Sequence, residues 1–211
     1  CSSLQEINTH SFSKTGKLTD VKFTNCSSIT KIDEFAFWES GIKDLVLSDL
    51  SELKDMYQRA FSNCNALERI ILSNCSKLEN FRNAFYECTN VTHIDFSGCS
   101  QLQNIENDSF KDASGLSFLD FTNCTSLTAI GESAFKNCES ITNLNLIDCT
   151  NLVNIDNSGF TSCDNLTSVN LGNTSNVGNQ SFFGVNAFTD CSNLTEFIVP
   201  FENVNNFNND I

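Results

Sequence analysis

A small residue followed by Phe recurs along the chain and sets its period. The Phe residues are Phe12, Phe37, Phe61, Phe85, Phe110, Phe135, Phe160 and Phe188, at spacings of 25, 24, 24, 25, 25, 25 and 28. A period in this range marks one repeated supersecondary unit, which cannot bury its apolar side alone and stacks against the next copy. The stretch Leu116–Ser140 shows the unit cleanly, with Leu116, Leu119, Phe121, Cys124, Leu127, Ile130 and Ala134-Phe135. From Ile141, the residues Leu144, Leu146, Cys149, Leu152, Ile155 and Phe160 fall at the same offsets. Units begin at Leu18, Ile42, Leu67, Val91, Leu116, Ile141, Leu166 and Leu194, after a partial unit over 1–17. The chain 1–211 therefore reads as one domain. It opens inside a unit and closes in an Asn-rich stretch, Asn203 to Asp210, and is expected to be a segment of a longer protein.

The unit L-x-x-ϕ-x-ϕ-x-x-C-x-x-L carries the leucine-rich-repeat signature. Its ϕ-x-ϕ alternation is a short strand with one face inward. Stacking the coils pairs these strands in parallel and yields a continuous core. The expected fold is a β-rich leucine-rich-repeat solenoid of the α/β class, with about 24–25 residues per coil. A parallel ladder lines one face, and short turns or 3₁₀ segments carrying the Phe wedges line the convex side. A single Pro in 211 residues suits such a ladder, because Pro lacks the N–H that inter-coil bonds need. Irregularities fall in two units. The Ile42 unit has Asp49 or Leu50 in place of Cys, and Met56 in place of Ile. The Leu166 unit is longer, with Asn173-Thr174-Ser175 replacing Cys and Gly184 inserted near Phe182-Phe183, where a protruding loop is expected.

The 11 Cys cannot all pair within the chain. They form two columns. Cys1, Cys26, Cys75, Cys99, Cys124 and Cys149 follow the strand, and Cys64, Cys88, Cys138, Cys163 and Cys191 lie three residues after the Phe. In-register neighbours in a parallel ladder sit about 4.8 Å apart, whereas a disulfide prefers Cβ atoms about 3.8 Å apart. The columns therefore read as buried free thiols, with Cys26, Cys75, Cys99, Cys124 and Cys149 structural like the eight Phe wedges. No C-x-x-C motif supports zinc or thioredoxin-type redox chemistry, and no cofactor or metal is expected.

The string Ile130…Ala134-Phe135…Cys138…Ile141, repeated as Phe81…Ala84-Phe85…Cys88…Val91, resembles the BspA-like (Treponema-type) leucine-rich-repeat family over essentially the whole chain. That resemblance implies a secreted or cell-surface protein that binds host proteins, other cells or extracellular matrix. The chain departs from the family in lacking an I-P dipeptide in every unit; only Val199-Pro200 is similar. Cys138-Glu-Ser-Ile141-Thr-Asn-Leu144-Asn-Leu146-Ile-Asp-Cys149 is also similar to the cysteine-containing repeats of F-box ubiquitin-ligase receptors. This second resemblance implies an intracellular substrate-recognition solenoid. The Ala-Phe signature is the more specific of the two and favours the first family.

Solenoids of this kind bind through exposed strand residues, because the stacked scaffold holds them as one surface. Here the middle units offer His93, Asp95, Phe118, Asp120, Asn143 and Asn145 on one face, the expected contact patch for a protein or glycan. The bland alternative is a solvated face kept soluble by its Asn and Asp. Twelve Lys+Arg against 26 Asp+Glu leave a net charge of −14, which argues against nucleic-acid binding. No apolar run is long enough to span a membrane. His93 and Asp95 have no aligned nucleophile, and Asp95 and Asp120 have no evident means of separating their pKa values, so an enzyme is not expected. Those two carboxylates are also too few oxygen ligands for a calcium site. Thr92, Thr142, Thr167 and Thr195 share one offset, but Lys43, Glu68 and Ser117 interrupt a row of the kind that orders ice.

Overall fold

A computed structural model describes residues 3–174, 177 and 182–200. The chain winds into a parallel-strand solenoid of about seven turns. Its strands, in chain order, are β1 (Glu6–Ile7), β2 (Lys31–Ile32), β3 (Asp44–Val46), β4 (Asp55–Met56), β5 (Arg69–Ile71), β6 (His93–Asp95) and β7 (Asn104–Ile105). They continue with β8 (Phe118–Asp120), β9 (Ala129–Ile130), β10 (Asn143–Asn145), β11 (Asn154–Ile155), β12 (Ser168–Asn170) and β13 (Glu196–Ile198). The three-residue strands are the ϕ-x-ϕ motifs and build the strand face as two sheets, β3-β5-β6-β8 and β10-β12-β13. The two-residue strands build a second ladder as the sheets β1-β2-β4 and β7-β9-β11. All pairings are parallel and in register, such as Ile94↔Leu119 and Leu144↔Val169.

Between the ladders lies the core. The wedges Phe37, Phe61, Phe85, Phe110, Phe135 and Phe160 are fully buried. They stack face to face, with ring centroids 4.9 Å apart for Phe37–Phe61 and 5.1 Å for Phe135–Phe160. Phe12 and Phe188, in the outermost described coils, are only partly covered. Leu50 and Met56 fill the Cys and Ile places of the Ile42 unit, and Thr174 fills the Cys place of the Leu166 unit; all three are buried. Of the stretch where a loop is expected in that unit, 175, 176 and 178–181 lie outside the described residues, as does the Asn-rich stretch within 201–211; Phe183 and Gly184 join the second ladder, Phe183 bridging Ile155 and Gly184 N–H reaching the Ile155 carbonyl at 2.8 Å.

The wedge side is made of turns; the described residues contain no helix and no 3₁₀ segment. Two left-handed residues bracket each wedge. Ser133 (φ 55°) and Asn137 (φ 62°) flank Phe135, and Ser158 (φ 55°) and Ser162 (φ 57°) flank Phe160. A helix requires consecutive right-handed residues, so a left-handed residue every four positions allows only single turns. Coil-to-coil bonds hold this conformation, with Phe135 N–H donating to the Gly159 carbonyl at 2.8 Å and Asn137 N–H to the Thr161 carbonyl at 2.9 Å. A third left-handed position precedes the strand-side Cys column, at Asn25, Asp49, Asn74, Gly98 and Asn123. Gly98 (φ 75°) fits there without strain, and a Cβ on it would lie 2.8 Å from the Asn74 side chain.

The ten described cysteines are unpaired, and nine are buried. Their thiols have a specific task. Cys75 Sγ donates to the Leu47 carbonyl at 3.1 Å, Cys99 to Leu72 at 3.1 Å and Cys124 to Phe96 at 3.2 Å. In the second column, Cys88 donates to Phe61 at 3.1 Å and Cys138 to Phe110 at 3.2 Å. Each of these five thiols meets a carbonyl of the preceding coil that takes no inter-coil backbone N–H. A residue that is small, mostly apolar and still a weak donor satisfies both requirements.

Candidate functional site on the strand face

The pleat turns the first and third residues of each strand outward and the middle one into the core. Asp44 and Val46 are exposed around buried Leu45, and Asn143 and Asn145 around buried Leu144. The register sets His93 beside Phe118 and Asp95 beside Asp120. Four of the six residues of the sequence-derived patch, His93, Asp95, Phe118 and Asp120, are therefore neighbours on β6 and β8. The His93 and Phe118 rings stack with centroids 4.1 Å apart and planes 4° from parallel. Phe118 remains 44% exposed, an uncommon position for a large apolar ring. His93 is pulled below its usual pKa, chiefly by desolvation and then by Arg69; nearby Asp95 pulls the other way. The neutral ring is thereby favoured against Phe118.

The acidic and amide residues have a local role that the repeat pattern alone does not reveal. Asp95 Oδ1 accepts the Ser97 N–H at 2.9 Å, and Asp120 Oδ1 accepts the Thr122 N–H at 2.8 Å. Asn145 and Asn170 do the same for Ile147 and Gly172, at 3.3 and 2.9 Å. These are Asx turns at the strand exit, and recurrence of Asp or Asn at this offset is their sequence signal. One oxygen of each carboxylate is thus engaged. Among the described residues no group of three or more His, Cys, Asp or Glu converges as a metal site would require. The Thr hydroxyls of the neighbouring column also point to the backbone: Thr92 and Thr167 donate to the Glu68 and Thr142 carbonyls at 3.1 and 2.9 Å.

The patch is divided in a way the sequence does not announce. β8 and β10 belong to different sheets. Elsewhere the ladder repeats three bonds, seen one coil earlier as Ser117 N–H and Phe118 N–H to the Thr92 carbonyl at 3.0 and 3.3 Å, and Phe96 N–H to the Asp120 carbonyl at 2.9 Å. Their equivalents from Thr142 and Asn143 to Ser117, and from Phe121 to Asn145, do not form. Asp148 leaves the left-handed series and its carboxylate takes the Asn123 N–H at 3.0 Å, standing in for a backbone carbonyl. Leu119 is correspondingly only half-buried, unlike Ile94 and Leu144. His93, Asp95, Phe118 and Asp120 therefore lie on one side of an open step, and Asn143 and Asn145 on the other. The second ladder stays closed at this level, with β9 paired to both β7 and β11.

The family model of the BspA-type leucine-rich-repeat region (six copies) matches residues 1–82 and 79–211. No curated protein matches the sequence significantly. A leucine-rich-repeat protein from Bacteroides ovatus superposes with a TM-score of 0.70 at 21% identity, covering 93% of this chain and 47% of that one. One from Eubacterium ventriosum gives 0.60 at 21% identity, over 77% of this chain and 41% of that one. The leucine-rich-repeat protein of T. pallidum gives 0.53 at 21% identity, over 75% and 80%. The chain thus spans about half the length of the first two relatives, and these likenesses concern the fold. With the family model covering its full length, the chain belongs to the BspA-type leucine-rich-repeat family.

Proposed function

We propose that the chain is a non-enzymatic recognition module, surface-borne or secreted, that binds a protein or glycan through its strand face. The observation that carries this reading is the exposed Phe118 ring stacked on His93 beside two half-engaged carboxylates, at the edge of an open step. An aromatic anchor ringed by polar groups is the usual composition of an interface hot spot. The backbone groups freed at the step add donors and acceptors for an extended segment of the partner. The net charge of −14 favours basic or neutral partner surfaces through long-range steering. The surface location rests on the BspA-type resemblance.

The test is surface plasmon resonance against a panel of extracellular-matrix glycoproteins, comparing the native chain with the double variant Phe118→Ser, Asp120→Asn. Binding that falls at least tenfold in the variant, with an unchanged circular-dichroism spectrum, supports the patch; each hot-spot contact is worth about that much. Equal affinity, or no binding across the panel, counts against it. An intracellular substrate-recognition role is the second reading, favoured by the unpaired thiols. Thiol titration of denatured, unreduced protein from its native source separates the two, since extensive pairing is incompatible with a reducing compartment.

A further inference from the structure

The coil that begins at Leu67 is one residue short. Other coils place three residues between the second-ladder position and the small residue of the wedge, as in Gly131-Glu132-Ser133; here there are two, Arg82-Asn83. The second ladder is interrupted just after this point: β4 still bridges Asp55 to Asn80, with Met56 N–H reaching the Asn80 carbonyl at 3.2 Å, but the bonds that should follow are lost. Tyr57 N–H reaches the Ile32 carbonyl at 2.8 Å and Gly131 N–H the Ile105 carbonyl at 2.8 Å, but the equivalent bonds from Arg82 to Met56 and from Glu106 to Phe81 do not form. The sheets β1-β2-β4 and β7-β9-β11 accordingly remain separate. A notch of about 200 Å³ opens there, lined by Glu34, Tyr57, Gln58, Arg82, Asn83 and Glu106.

Its chemistry is unlike the rest of this acidic surface. Tyr57 and Arg82, one of the two tyrosines and one of the three arginines of the chain, line it. Arg82 lies 5.2 Å from the Tyr57 ring centroid, and Arg59 lies 5.1 Å from that of Tyr86. Neither guanidinium is in an ion pair among the described residues. Ring contact holds a guanidinium in place while leaving N–H donors for a ligand. Beside them, Asn83 Oδ1 is buried with no donor, a state that costs free energy unless a partner arrives. The carboxylates of Glu34 and Glu106 add further acceptors.

We propose that this notch binds an acidic sugar unit of a glycan, at a site separate from the strand face. The sugar carboxylate pairs with Arg82, its hydroxyls donate to Asn83, Glu34 and Glu106, and its C–H face lies against Tyr57. An acidic side chain alone would answer the cation and leave the acceptors without donors. The volume is below the roughly 300–1,000 Å³ of sites for drug-sized ligands and suits one ring. A single acidic unit on an otherwise neutral glycan also avoids the repulsion that a polyanion would meet from the net charge of −14.

Ligand-observed NMR with sialyllactose and methyl glucuronide, against lactose and methyl glucoside as neutral counterparts, tests the assignment. At least one acidic probe should bind, about tenfold or more tightly than its neutral counterpart, and lose that preference in Arg82→Gln. Insertion of one Gly between Arg82 and Asn83 restores the regular turn and should abolish binding in a folded protein. The double variant Phe118→Ser, Asp120→Asn should bind the sugar normally, so failure of the strand-face reading is told apart from failure of this one. No binding of either acidic probe, equal binding of the neutral sugars, tighter binding of an acidic peptide, or full binding by Arg82→Gln overturns the proposal.

Discussion

The coils beginning at Leu116 and Leu67 have the same strand, thiol and wedge pattern and differ by one residue in one turn. Around the first, Phe135 stacks at 5.4 and 5.1 Å on its neighbours and the second ladder runs on unbroken. Around the second, Phe85 stacks at 5.6 Å on both sides and the ladder parts. The apolar stack therefore absorbs a one-residue slip that the backbone cannot. Burial of apolar area is non-directional, whereas a hydrogen bond weakens steeply with distance and angle. A solenoid can thus open a polar notch on its flank while its core remains whole. The open step between β8 and β10 follows the same logic on the strand face.

The sharpest test of that contrast is to remove the wedges. Phe135→Ala should destabilise by about 3–5 kcal/mol, and Phe85→Ala, in the looser stack, should fall at the lower end of that range. Urea unfolding measures both, and a larger loss at Phe85 would break the comparison. The thiols extend it across the open step. Cys124 Sγ donates to the Phe96 carbonyl at 3.2 Å, while the corresponding bond from Cys149 to Phe121 is absent. Cys124→Ala should therefore cost about 1 kcal/mol more than Cys149→Ala; equal costs would show that the step closes in solution.

Burial pushes the Cys75 and Cys149 thiols up to about 12, from an ordinary value of 9.0. The folded chain then holds protons that the unfolded chain releases. The stabilisation is complete below pH 9 and is lost as pH rises toward 12. Thermal melting between those limits should show a steady decline, steeper than in Cys75→Ala. The smallest effect belongs to the patch. His93 titrates below its usual 6.5, so the unfolded chain binds the proton first and stability should fall as pH drops below 6.5. That decline should shrink in Phe118→Ala, where the imidazole regains water; an unchanged acid limb would show that stacking is not the cause.

The outward residues of the strand face were legible because period-two alternation assigns each side chain to a face: His93 and Phe118 share an offset, so stacking in register had to bring them together. The Asx role of Asp95 and Asp120 was less visible, since the same residue types serve solvent exposure equally well. The open step was not visible at all, because Thr142 and Asn143 differ little in type from Thr167 and Ser168, which pair normally. The notch had a signal, the 24-residue interval from Phe61 to Phe85. An equal interval from Phe37 to Phe61 leaves the second ladder intact, with β2 paired to β4, so the interval alone does not say which bonds are lost.

By itself the sequence determined the period, the inward and outward faces, the parallel ladder and the two thiol columns. Those follow from spacing, and stacking converts each offset into a column. The tertiary structure decided which turns replace helical segments, which carbonyls the thiols meet, and where the ladders part. Those depend on backbone geometry accumulated over neighbouring coils, and a single residue gained or lost shifts hydrogen-bond registers that no local pattern encodes.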